Sequence, residues 1–509
     1  MKPRTKPISI LTLLSVGILF FLFFTFSPVH SQETENVPLS NEQKIMNAMH
    51  AISSQTLFGY VKECCSEKYQ GRLTGTPAYD ASAQWIASLM NEWGIQPAGD
   101  NGTYFQDFPN PYTLILNEGN VTLHIPYKNN SVIDKTYVYE TDYFPGGTSD
   151  SGEINAEVVY VGYSITAPEL NYDDYKGMDV KGKIVLFERE VPVSPQKEPV
   201  EFKKWRPYSF HHYKVKNARD HGAAGVMFNY PIANPNCTFI KGLIVFNVGD
   251  KIVNDLFAGT GQKYDKVVES IDKTRKPHSF STGKTMSLKA STQHHPEGIG
   301  KNVIGIIEGS DPELKKDVIM IGGHLDHCGS TPKLMPGAND NASAVAVMLG
   351  IAEAIHQSGV KPKRTIVFNF FGAEEQGVKG SEYYLNHPSI RNKEVKAFIN
   401  MDGVGRGDKL EAIAGKNSPE LWKHFEDANN KYIHRIVTPT YFANNARPRQ
   451  DASHFMWAGI PTISFGTRGG DPLPFDYYHN SFDHPSIITP NIMQDLSRLI
   501  FLTVMEMAE

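Results

Sequence analysis

Cysteine is scarce. Four occur in 509 residues, at Cys64, Cys65, Cys237 and Cys328. So few thiols do not make a disulfide framework, and a bond between the neighbours Cys64 and Cys65 would be badly strained. Small buried thiols are expected. A basic excess is also lacking: Lys plus Arg is 50, Asp plus Glu is 55, and the formal net charge is −5. Nothing in that balance attracts a phosphate backbone, so no nucleic-acid partner is expected. Internal repeats and low-complexity tracts are absent. With 40% hydrophobic and 21% charged residues the composition is that of a folded globular chain, long enough for about three domains. Several catalytic signatures are missing too. There is no His-Glu-x-x-His and no Gly-x-Ser-x-Gly. Gly283-Lys-Thr285 resembles the end of a phosphate-binding loop, but His278 stands where its first glycine is required.

There is a single long apolar run, Ile8 to Phe26. Lys2, Arg4 and Lys6 precede it, and Val29-His30-Ser31 follows with small residues suited to a cut before Gln32. This is the layout of a signal peptide over residues 1–31. The run is also just long enough to be an uncleaved membrane anchor. Either way the remainder is expected outside the cytoplasm, secreted or periplasmic. With the peptide removed, no stable membrane association is expected. Asn-x-Ser/Thr sequons at Asn101, Asn120, Asn129, Asn236 and Asn341 matter only in a host that glycosylates.

Three blocks follow. Residues 42–110 read as helical, with Asp80, Ala83, Ile86, Ala87 and Met90 at helical spacing and Gly94 as the stop. Residues 111–293 carry short apolar and β-branched runs between turn residues: Val121–Ile125, Ala156–Gly162, Lys183–Phe187, Val226–Phe228 and Leu243–Asn247. They predict a small β-rich module. Residues 294–509 alternate. Val303–Ile307, Val318–Ile321, Thr365–Phe371, Ala397–Met401 and Pro461–Phe465 read as buried parallel strands. A helix with the stripe Ala344, Val347, Met348, Ile351 and Ile355 lies between the second and third, with Asp340 and Asn341 able to cap it and Gly359 to close it. The fold class expected is α/β, with a mainly parallel mixed sheet flanked by helices.

In open α/β sheets, ligands gather beyond the carboxyl ends of the strands. The strand exits here read His324-Leu-Asp326-His327, Asn339-Asp340-Asn341, Glu374-Glu375 and Asp402, and a late loop adds Tyr478-His479 and Asp483. One such residue is usually a cap or a surface charge. Five sets at successive exits point to a metal centre. Imidazole and carboxylate without thiolate suit a catalytic zinc site, and the set is large enough for two ions sharing one carboxylate.

The motifs His324-x-Asp326, Gly337-Ala-Asn-Asp340-Asn-Ala-Ser, Phe371-Gly-Ala-Glu374-Glu375-x-Gly, Asn400-Met-Asp402-Gly-Val-Gly and Tyr478-His479-x-x-x-Asp483, in this order, resemble those of the co-catalytic dizinc exopeptidases of the leucine aminopeptidase and glutamate carboxypeptidase type. Gly71-Arg-Leu-Thr-Gly-Thr-Pro-Ala resembles that family's N-terminal segment. The likeness covers roughly residues 42–110 and 294–509. It implies two zinc ions, with Asp340 bridging, His324 and Asp402 completing one site, and Glu375 and His479 the other. Glu374 would be the general base, Asp326 would orient His324, and Asp483 would fix a loop or serve as a cap. His327 and Cys328 are expected to support or pack. Tyr441, Tyr477 and Tyr478 are candidates to donate to a developing oxyanion. Where the family often has Ser-Asp-His, this chain reads Asp451-Ala-Ser-His454. Residues 111–293 resemble a protease-associated domain through the stretches at Asp173–Leu186 and Lys216–Met227. The run Lys203-Lys-Trp-Arg206 with His211 and His212 is either a solvated loop or a surface for acidic peptides.

An aminopeptidase acting on peptide substrates is the leading expectation. A carboxypeptidase or dipeptidase needs a cation for the substrate carboxylate, and Arg406, Arg447, Arg449 and Arg468 are available. A single-zinc glutaminyl cyclase fits the paired ligand set less well. A non-catalytic, receptor-like ectodomain fits worst, because such members lose metal ligands.

Overall fold

Thr365–Phe371 is buried from end to end, as an interior strand covered on both faces must be. The structure, a computed structural model, describes residues 38–236, 238–390, 393–442, 449–470 and 476–509. Among these, the strand belongs to a nine-stranded sheet. Across it run Gln96–Pro97, Ile299–Ile307, Thr365–Phe371, Asp317–His324, Glu394–Met401, Thr462–Arg468, Lys409–Ile413 and Val437–Pro439, and Phe105–Pro109 also pairs with Ile299–Ile307.

The sheet is mixed, as expected. Its centre, from Thr365–Phe371 to Thr462–Arg468, is parallel. Ile299–Ile307 runs against Thr365–Phe371, and Lys409–Ile413 against Thr462–Arg468. The expectation for Val303–Ile307 fails because an apolar run reports burial, and burial on both faces looks the same in either direction. The first block is corrected as well. After Asn41–Ala51, Ser54–Cys64 and Pro77–Glu92 the helices end, and the chain joins the sheet as Gln96–Pro97 and Phe105–Pro109.

Successive strand residues point to opposite faces. Ile319 and Ile321 pack in the core with the helices Ser343–Ser358, Pro490–Met507 and Ser54–Cys64. Val318 and Met320 pack on the other face with Phe398 and Phe455, whose rings stack at 3.9 Å, beneath the helix Ala452–Trp457. Ser343–Ser358 is buried on nearly every side and closes at Gly359, φ +61°. Gly350 permits the close approach of Ser54–Cys64, since an added Cβ would lie 2.5 Å from Leu57. Asp340 and Asn341 do not cap this helix. It starts at Ser343 with no side-chain cap, because both side chains are drawn into other contacts.

A second sheet has eight strands among the described residues: Val132–Thr136, Asn120–Pro126, Phe280–Ala290, Gly152–Tyr160, Ile184–Glu188, Gly225–Asn229, Ile244–Val248 and Tyr143–Pro145. It contains every strand expected between residues 111 and 293. It is less purely β than expected. Gly152–Tyr160, Ile184–Glu188, Gly225–Asn229 and Ile244–Val248 are parallel, and the helices Pro199–Trp205, His211–Asp220, Asp250–Phe257 and Tyr264–Thr274 accompany them. These helices are short, so their stripes are lost among the apolar strand runs. Cys64, Cys65 and Cys328 are free and buried, while Cys237 lies outside the described residues.

Arg72 fastens the N-terminal segment to the sheet. Its side chain is fully buried, and its guanidinium donates to the carbonyls of Leu325, Cys64, Pro336 and Gly337 at 2.8–2.9 Å. A planar fork of donors suits four converging acceptors better than a lysine does. Arg72→Met is expected to leave these carbonyls unpaired and to cost at least ~3 kcal/mol in urea unfolding, with Arg72→Lys recovering only part. An unchanged unfolding midpoint for the Met variant would remove this role.

Candidate metal centre

The predicted ligands come together at the carboxyl ends of the parallel strands. Asp317–His324 ends on His324, and Asp402 follows Glu394–Met401. Asp340 lies between two imidazoles. Its Oδ1 is 3.3 Å from His324 Nε2, and its Oδ2 is 3.3 Å from His479 Nε2. Asp402 Oδ1 is 3.7 Å from the same His324 nitrogen, and Glu375 Oε2 is 2.8 Å from the same His479 nitrogen. His327 Nδ1 adds a 2.8 Å hydrogen bond to Glu375 Oε1. Two clusters result, His324 with Asp340 and Asp402, and Glu375 with His479, His327 and Cys328, and Glu374 approaches His324 and Glu375.

The loop that carries Asp340 is fastened to the Asp402 loop side chain by side chain. Asn339 Oδ1 accepts from the Gly405 amide at 2.9 Å, Asn341 Oδ1 from Gly403 at 3.2 Å, and Ser343 Oγ from Val404 at 3.0 Å. Asn341 Nδ2 donates to the Met401 carbonyl at 3.0 Å. The sequence quoted these residues as a motif without assigning them this work, because their partners lie some 60 positions away. Asp483 fixes the same loop rather than capping a helix. Its oxygens accept from the Asn339 amide at 2.8 Å and the Asp340 amide at 3.0 Å.

Asp326 contacts His324 mainly through its backbone, with His324 Nδ1 3.1 Å from the Asp326 carbonyl and 3.7 Å from its carboxylate. The carboxylate accepts from the amides of Glu374 at 3.2 Å and Glu375 at 3.3 Å, which seats both glutamates. Burial raises Asp326 to about 7, against the pull of His324. Burial, with Glu375 and Asp402 nearby, also pushes the half-buried Glu374 well above the usual carboxylate range.

A cavity of about 760 Å³ opens on this cluster. Glu374, Asp340, Asp402, Tyr478 and Arg449 line it, together with Arg189, Glu190, Tyr230 and Asn236 from the second-sheet region. Of the tyrosine candidates, Tyr478 borders it and stacks on His479 at 3.7 Å. Tyr477 packs against the Arg406 guanidinium at 4.7 Å, and Tyr441 is 73% exposed beside Lys416. The arginines divide likewise. Arg449 pairs with Glu190 at 2.9 Å, Arg468 grips Glu411 through two nitrogens, and Arg406 lines a separate cavity. Arg447 lies outside the described residues. The run at Lys203 is not one surface patch, since Trp205 is buried and Arg206 lies over Trp457 at 5.1 Å.

The donor set fits metal ions. Asp340, Glu374, Glu375 and Asp402 crowd together, and a divalent cation would relieve the repulsion among like charges this close. His479 Nε2 is buried and has no hydrogen-bond partner of proper geometry, although Glu375 Oε2 lies 2.8 Å away. Lone pairs that converge without a shared proton are what a divalent ion occupies.

The mixed sheet, its two helix layers and this cluster define an α/β protein of the zinc-aminopeptidase fold. A zinc aminopeptidase from Bacillus subtilis superposes with a TM-score of 0.61 over 90% of this chain and 95% of its own, at 20% identity. Residues 302–504 match the model of Peptidase family M28. Leupeptin-inactivating enzyme 1 of Streptomyces exfoliatus is 30% identical over 36% of this chain and 38% of its own length. A protein named "Probable glutamate carboxypeptidase" from Arthroderma benhamiae is 25% identical over 79% of this chain and 62% of its own. The chain thus spans less than two thirds of either relative.

Asp483→Ala is expected to strand the two loop amides, at about 1–3 kcal/mol each. Hydrogen exchange should show faster exchange at Asn339 and Asp340, with Asp483→Asn intermediate. Unaltered protection at both amides would mean that the carboxylate does not hold the loop.

Proposed function

We propose that this chain is a zinc-dependent exopeptidase that removes residues from the free N-terminus of peptides. The observation that carries the reading is Asp340, whose two oxygens face different imidazoles at 3.3 Å each. One carboxylate would thereby serve two ions. His324 and Asp402 would complete one site, and Glu375 and His479 the other. When bound, a zinc pair supplies Lewis-acid polarisation of the scissile carbonyl and lowers the pKa of a water toward ~7.

The chain's own groups do the rest. Glu374 borders the cavity and is seated through its amide by Asp326, so its carboxylate can take a proton and deliver it to the leaving amine. Tyr478, which lines the same cavity, can donate to the developing oxyanion. Asp476, which also borders the cavity and is not among the proposed ligands, can meet a protonated N-terminus.

One observation favours a second reading, release of C-terminal residues. Arg189 lies in the cavity wall over the Tyr230 ring at 5.0 Å and could meet a substrate carboxylate. The region 111–293 is proposed to be a protease-associated module that walls the cleft. Export is proposed on residues 1–31, which lie outside the described residues. Among the described residues no helix is long and apolar enough to cross a membrane.

Matched peptides that are free, N-terminally blocked or C-terminally amidated distinguish the readings. Chelator-sensitive trimming of free and amidated peptides, with blocked ones intact, is expected by mass spectrometry. Loss of cleavage on amidation would favour the carboxypeptidase, and no cleavage of any of them would overturn both. Glu374→Gln should keep its metal and lose roughly 10²–10⁴-fold in kcat with little change in KM. Wild-type turnover in that variant would refute the base assignment. Asp340→Ala should lose metal at both sites by elemental analysis, and unchanged zinc content would end its bridging role.

A further inference from the structure

His479 differs from the other proposed ligands in how it is held. His324 ends a central strand and Asp402 follows one directly. His479 sits in a turn, with φ +53°, so no strand ladder or helix fixes it. What fixes it comes from the region of the second sheet. Its Nδ1 is 2.8 Å from the carbonyl of Ala233, and the Ala233 amide donates back to the His479 carbonyl at 3.1 Å. Two residues further on, the Ser481 amide donates to Glu140 Oε1 at 2.7 Å, while Glu140 Oε2 accepts from Lys333 at 2.9 Å. The Glu140 side chain is only 5% exposed, so water competes little for these bonds.

Both anchors hang on one pair of strands. Asn247, on Ile244–Val248, donates to the carbonyl of Ile232, next to Ala233, at 2.9 Å. The Glu140 amide donates to Tyr143, at the start of Tyr143–Pro145, and that strand pairs with Ile244–Val248.

We infer that the second-sheet region is an integral part of the metal centre: it sets the orientation and tautomer of His479, and Glu140 is a positioning residue for the ion held by Glu375 and His479. With Nδ1–H given to a carbonyl acceptor, Nε2 carries the lone pair, and that nitrogen faces Asp340 and Glu375. The inference rests on the zinc reading above and adds that the two ions depend on different parts of the chain. The ion at His324 and Asp402 is held by central-sheet elements. The ion at Glu375 and His479 needs the second sheet as well.

The test uses the purified chain, stripped of metal and titrated with zinc against a competing chelator, with cobalt absorption as a second readout. Wild type is expected to take up two ions in resolvable steps. Glu140→Ala should weaken one step by about 10–100-fold and leave the other near its wild-type value. Glu140→Gln keeps an oxygen for the Ser481 amide and should restore the weakened step. Asn247→Ala, which loosens the Ala233 segment from the other side, should weaken the same step. Thermal unfolding of each metal-free variant checks that it is folded. Two unchanged steps in both Glu140→Ala and Asn247→Ala, or equal weakening of both steps, would overturn the inference and leave the zinc reading standing. Absence of zinc uptake by wild type would instead remove the zinc reading itself.

Discussion

The arrangement depends on one carboxylate shared between two imidazoles. Asp340 presents one oxygen to His324 and the other to His479, and three further carboxylates crowd around them. Such a group of like charges is unstable by itself in a protein interior and has to be held by force. The force comes from ordinary hydrogen bonds. Asp483 takes the two amides that shape the Asp340 loop, and Asn339, Asn341 and Ser343 fasten it to the Asp402 loop. Asp326 takes the amides of Glu374 and Glu375. These hydrogen bonds preorganise the loops, as such a site requires.

The two sheets contribute differently. The central sheet supplies strand ends, which are fixed points because each strand is buried and hydrogen-bonded to neighbours on both sides. The second-sheet region supplies a cavity wall and the contacts that hold His479. Arg72 joins the N-terminal segment to the same group of loops through backbone carbonyls alone. That economy explains how side chains from distant parts of the chain converge within a few ångströms.

Much of this was legible beforehand. Buried strands announce themselves as short apolar runs, and a polar residue just past such a run has to be at a strand exit. His324, Glu374, Glu375 and Asp402 were visible for that reason, and the structure brings them together with Asp340 and His479. Strand direction was not legible, because the run Val303–Ile307 looks alike in a parallel or an antiparallel sheet. Nor was the fate of Asp340 and Asn341, which have the chemistry of helix caps but face stronger partners across the loop. The arginines could only be counted. Pairing with Glu190 and Glu411 decides that Arg449 and Arg468 already have partners, and Arg189 enters the cavity wall unforeseen.

The sequence by itself determined the α/β class, the residues at the strand exits and the absence of any alternative catalytic signature, since all three follow from local pattern. Tertiary structure alone decided which groups support the histidines and which wall faces them. Those contacts join residues separated by tens to hundreds of positions, such as Ala233 and His479, or Glu140 and Ser481. No local pattern encodes a bond to a backbone carbonyl, because every residue has one. Only the folded chain selects the carbonyl of Ala233.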